Sequence, residues 1–144
     1  MSSRRLPSAL LLAAAALALA GCGPKHHAGA EEANPAALEP VKGSAVQKVV
    51  LTPVAARLLD VRTVPVGRTG GSPSVPLTAL VYDPDGASWV YVPAGARSYL
   101  RRSVTVTGFS GDTVLLGSGP AVGTPVVTSS ADELLGTEYG VGEE

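Results

Sequence analysis

The chain has 144 residues with 11 basic and 12 acidic side chains, a formal net charge of −1. That length fits one domain and a tether, and that balance supplies no basic field for nucleic acid. A single cysteine, Cys22, excludes any disulfide within the chain, so a folded part has to rest on its hydrophobic core.

Arg4 and Arg5 precede an apolar run over residues 9–20, and Leu19-Ala20-Gly21-Cys22 closes it. A cationic start, a short apolar stretch and a small-residue cleavage site make a secretory signal over residues 1–21. The run is too short for a permanent membrane span. A cysteine directly after Gly21 makes the signal a lipoprotein signal. Its thiol is expected to carry a diacylglyceryl group, and cleavage before Cys22 makes it the new N-terminus. The protein is then expected to be held by lipid on the cell membrane or the outer membrane, facing the periplasm or the extracellular side.

Residues 22–45 read as a lipid-anchored flexible tether. Leu38 and Val41 are their only large apolar residues, too few to offset the entropy of ordering the chain. His26 and His27 lie here, and they keep open an alternative reading as a metal- or small-molecule-binding lipoprotein with acidic tail residues as further ligands. A solvated tether is favoured, because a metal site needs three or four convergent ligands.

From residue 46 the pattern becomes β-rich. Val46-Gln47-Lys48-Val49-Val50-Leu51 predicts a strand. Thr52-Pro53 predicts a capped helix start, with a short helix over residues 53–59 that buries Val54 and Leu58 at i, i+4. Residues 61–66 predict a second strand with Pro65 at an edge or end, and residues 67–74 a loop. Residues 75–82 predict a third strand, Asp83-Pro84-Asp85-Gly86 a turn, and residues 88–92 the returning arm of a hairpin. A strand follows over residues 98–107, with short strands at 114–116 and 126–128. Residues 131–135 predict one helical turn closed by Gly136, and residues 137–144 a flexible tail. The expectation is a mainly β domain over residues 46–136, a small antiparallel β-roll or barrel with one or two short helices.

The order of these pieces resembles the periplasmic adaptor subunits of resistance-nodulation-division (RND) efflux systems, the membrane fusion protein family. Val49-Val50-Leu51-Thr52-Pro53 through Leu58-Leu59-Asp60-Val61-Arg62-Thr63 is similar to the adaptor's N-terminal arm. Val75-Pro76-Leu77-Thr78-Ala79-Leu80-Val81-Tyr82, Trp89-Val90-Tyr91-Val92, Arg101-Arg102-Ser103-Val104-Thr105-Val106, Gly111-Asp112, Gly123-Thr124-Pro125-Val126-Val127 and Glu133-Leu134-Leu135-Gly136-Thr137-Glu138 are similar to its C-terminal part. In the family these arms meet as the membrane-proximal domain, which faces the inner-membrane pump. The lipoyl-like domain, helical hairpin and β-barrel that separate them there are replaced here by residues 67–74. The resemblance implies transport-associated binding, with an efflux pump or another envelope membrane protein as partner.

Enzymatic chemistry is not expected. Residues 46–136 contain no histidine and no thiol. Gly108-Phe109-Ser110-Gly111-Asp112 lacks the last glycine of a nucleophile elbow, and Gly117-Ser118-Gly119-Pro120 is not a dinucleotide fingerprint. Asp83 and Asp85 lack the further oxygen ligands of a calcium loop. No cofactor or metal is assigned. Asp83, Asp85, Arg101 and Arg102 are the candidate partner contacts, around the hairpin turn and on unpaired strand edges. Arg101 and Arg102 are adjacent on a strand and point to opposite faces. Trp89 and Tyr91 share one face and are expected to pack.

Overall fold

The structure, a computed structural model, describes residues 34–140. The expected signal peptide, the expected lipid site at Cys22, and His26 and His27 lie outside the described residues. The fold is mainly β, with antiparallel sheets and two short helices, as the turn-punctuated strand pattern predicts.

Strand β1 (Ala36–Pro40) pairs antiparallel with β2 (Gln47–Leu51), from Ala36 opposite Leu51 to Pro40 opposite Gln47. Part of the expected tether is therefore strand. Composition missed it because β1 buries little besides Ala36. Its backbone groups pair along the free edge of β2, a gain that side-chain hydropathy does not register.

Helix α1 (Pro53–Leu59) starts where predicted. The Thr52 hydroxyl accepts from the Ala55 amide at 3.1 Å and Pro53 occupies the first turn. Its orientation differs from the expectation. Ala55 is buried and Leu59 packs against the core, whereas Val54 and Leu58 are 56% and 80% exposed. Positions 54/58 and 55/59 form two i, i+4 stripes about 100° apart, and on a seven-residue helix periodicity does not choose between them. The small Ala55 lets the helix settle close to Leu51.

Strand β3 (Thr63–Pro65) pairs with β11 (Pro125–Val127). The expected loop at 67–74 is a hairpin of β4 (Gly67–Thr69) and β5 (Ser72–Pro76). Gly70 and Gly71 have φ of 57° and 85°, the two positive values that a type I′ turn requires. The predicted strand over 75–82 breaks into β5, a 3-10 turn (Leu77–Ala79) and β6 (Val81–Tyr82). The one over 98–107 breaks at buried Val104 into β8 (Ser98–Ser103) and β9 (Thr105–Ser110). Both breaks have one cause: the chain changes sheets there. Strands β1, β2, β8, β7 (Ser88–Gly95) and β6 make one sheet, in that order, and β4, β5, β10 (Thr113–Ser118) and β9 make the other.

Alternation on β7 divides the core. Val90 and Val92 face a cluster with Val75, Val114, Leu116 and Val126. Tyr91 faces the opposite way into a cluster with Val49, Leu51, Val81 and Leu134. The five-stranded sheet thus has apolar side chains on both faces, one covered by the second sheet and the other by the helices.

Helix α2 (Ala131–Glu138) continues through Gly136 to a cap at Tyr139, with Gly140 at φ 69°. Residues 137–140 of the expected tail are therefore structured. The left-handed glycine that ends the helix is Gly140, not Gly136.

Candidate interaction surface

Tyr91 on β7 and Arg101 on β8 lie directly opposite each other in register. The Arg101 guanidinium lies over the Trp89 ring, 4.3 Å from its centroid, and 5.2 Å from that of Tyr139, within cation–π range of both. Its Nε donates to Glu138 Oε1 at 3.0 Å, and Nη1 stands 3.6 Å from Asp83 Oδ2. Glu138 also accepts from the Tyr91 hydroxyl at 2.7 Å and the Gln47 amide at 3.3 Å. Asp83 accepts from the amides of Ala87 and Asp85 at 2.8 and 3.1 Å and from Trp89 Nε1 at 2.8 Å. The Arg101, Asp83 and Glu138 side chains are only 9%, 8% and 4% exposed.

The electrostatics follow from these contacts. Burial raises the Asp83 pKa, but the bonds from Trp89, Ala87 and Asp85 and the charge of Arg101 outweigh it and hold the carboxyl below its ordinary value of 3.8. Burial, the bond to Glu138 and its negative charge push the Tyr91 hydroxyl well up. For Arg101, desolvation acts downward and is overcome by Glu138 and Tyr139, so its pKa is raised.

Two of the four predicted contact residues, Asp83 and Arg101, thereby hold their charges inside the fold, and Asp83 also borders the shelf beside Tyr82 and Tyr139. They lock the hairpin turn and α2 onto the sheet. Two carboxylates remote in sequence, Asp83 and Glu138, converge on Arg101 and leave its side chain 9% exposed. Asp85 stays exposed at the turn tip, and Arg102 points the other way. Arg102 lines an open concavity of about 610 Å³ with Pro93, Ser103, Ser118 and Thr124, among others.

Sequence reasoning missed Glu138, Tyr139 and Tyr82. The available signal was helical spacing: Glu138 stands four residues after Leu134, which is fully buried, so an α2 continued past Gly136 carries the carboxylate to the same face.

Two further concavities flank α2. On one side Tyr82, Asp83, Pro84, Asp132, Leu135, Gly136 and Tyr139 outline a shelf of about 330 Å³, which Asp83 and the Tyr139 ring join to the buried ion cluster. Tyr82 and Tyr139 are both exposed there. On the other side a groove of about 470 Å³ is lined by Pro35, Ala36, Leu51, Val54, Leu58 and Leu59, among others. Among the described residues, no group of three metal-ligating side chains converges. No family model, curated protein or solved structure matches the chain.

Proposed function

We propose that this chain is a lipid-anchored interaction module of the bacterial envelope, accessory to a transport assembly, and that it presents the Tyr82–Tyr139 shelf to a membrane-protein partner. The observation that carries this reading is that the shelf is prebuilt. Exposed tyrosines suit an interface because they offer large, rigid contact area and a polar tip. Here the shelf rests on a buried ion cluster that spans β7, β8, the 83–86 turn and α2, so little ordering entropy remains to be lost on binding.

The assembly of the two adaptor-like segments supports the transport context. Thr63, at the end of the first, is paired with Val127 of the second, and residues between the two segments form the β4–β5 hairpin. A chain of this plan provides a pump-side contact and no reach toward an outer-membrane channel.

The test uses a photocrosslinking residue at Tyr82, with Thr107 on β9 as control. Position 82 is expected to capture a discrete envelope membrane protein that position 107 does not, and Asp85→Arg is expected to weaken the capture. Expressed alone in a strain lacking its adaptor, the protein is expected not to restore drug resistance. Equal capture from both positions, or full restoration, would overturn the reading.

A further inference from the structure

We infer that the groove beside α1 is a membrane-contact face that takes lipid acyl chains at the surface of the bilayer to which the chain is anchored. This rests on the lipid-anchor reading above.

Val54 and Leu58 form an exposed apolar i, i+4 stripe, and Leu58 is the most exposed large apolar side chain among the described residues. A groove floored by Ala36, Leu51 and Ala55 runs beside them. Such a face, left to water, loses the hydrophobic gain that burial would bring.

The position of the chain's entry point selects the occupant. The Pro35 carbonyl accepts from the Thr52 amide at 2.9 Å, so the polypeptide joins the domain at the lip of this groove. Pro35 follows Cys22 by 13 positions, a stretch that reaches at most about 45 Å when fully extended. A lipid on Cys22 therefore keeps the groove's lip within that distance of the bilayer. Tethering raises the effective concentration of the surface, so a patch too small to bind membranes unaided is sufficient. Arg57 is exposed on α1, one position before Leu58. Its aliphatic stem can lie along the apolar stripe while the guanidinium stays at the phosphate level. The shelf, on the other flank of α2, is left free for a protein partner.

The experiment places an environment-sensitive fluorophore on Leu58→Cys in the full lipidated protein, reconstituted into phosphatidylethanolamine–phosphatidylglycerol vesicles. Because Cys22 is the sole native cysteine and its sulfur carries the lipid, the new thiol is the only one to label. Asp112→Cys, in the turn between β9 and β10, is the control. The label at 58 is expected to lose quenching by aqueous iodide and to gain quenching by a doxyl-labelled lipid, and the label at 112 to show neither. Adding Val54→Asp, an exposed position, is expected to abolish both effects while leaving the thermal melt in place. Equal iodide access at 58 and 112 would overturn the inference. So would shielding that appears with native membranes but not with pure lipid, because a protein would then cover the groove. Failure of wild-type protein to incorporate labelled palmitate would refute the anchoring claim alone. The same quenching measurement is therefore repeated on Cys22→Ser protein lacking residues 1–21, tethered by an N-terminal hexahistidine tag to nickel-chelating lipid, where it decides the groove independently.

Discussion

Replacing Glu138 by alanine removes the acceptor for Arg101 Nε, the Tyr91 hydroxyl and the Gln47 amide together. Arg101 is then left buried with Asp83 Oδ2 at 3.6 Å as its remaining counter-ion, and its Nη1 already has no hydrogen-bond partner. Removing one member of a buried ion pair costs about 3–5 kcal/mol, because the other charge stays desolvated. A domain of this size has a total stability of roughly 5–15 kcal/mol, so the loss is a large share of it. With an unfolding entropy of about 0.2 kcal/mol per K for some 100 residues, Tm is expected to fall by roughly 15–25 °C. Urea unfolding of the wild type, Glu138→Ala, Arg101→Met and the double variant Arg101→Met/Glu138→Ala supplies the measurement. The double variant is expected to be more stable than the two single losses summed, by about 1–3 kcal/mol, since it leaves neither member of the pair as an orphaned buried charge. A Glu138→Ala cost below about 1 kcal/mol, or strict additivity in the cycle, would refute the account of Arg101 and Glu138 as the lock between sheet and helix.

Asp83, whose carboxyl is held below 3.8, contributes stability that is fully present above that value and is lost as pH falls through its lower folded-state value. Asp83→Asn is therefore expected to be less stable at neutral pH and to show a shallower acid-side decline, read from urea midpoints by Trp89 fluorescence. A chain beginning at Ser44 lacks β1, whose pairing gain of roughly 0.5–1.5 kcal/mol per hydrogen bond is mostly cancelled by ordering entropy. It is expected to melt cooperatively with a loss under about 2 kcal/mol, measured by circular dichroism. At Gly119, where φ is 155° and a Cβ would stand 2.9 Å from Val104 Cγ1, alanine is expected to cost about 1–3 kcal/mol in the same denaturation assay.

The sequence by itself determined what short-range chemistry controls. Thr52-Pro53 starts a helix because the hydroxyl and the proline ring act within one turn, and α1 begins there. Asp83-Pro84-Asp85-Gly86 turns the chain because an aspartate side chain reaches amides two and four residues on. The antiparallel, mainly β class was legible for the same reason, through alternation and turn residues. Tertiary structure decided everything that depends on partners remote in the chain. It recruited Ala36–Pro40 to the edge of β2, and it split residues 75–82 and 98–107 where the chain changes sheets. It chose Ala55 over Val54 as the buried side of α1. Above all, it converted Arg101 and Asp83 from candidate contacts into the scaffold beneath the tyrosine shelf. Glu138 lies 37 residues beyond Arg101 and 47 beyond Tyr91, a separation across which local propensity and hydropathy carry no signal. Which buried charges meet is settled when the sheet and α2 close on one another, because desolvation makes any other placement of those charges costly.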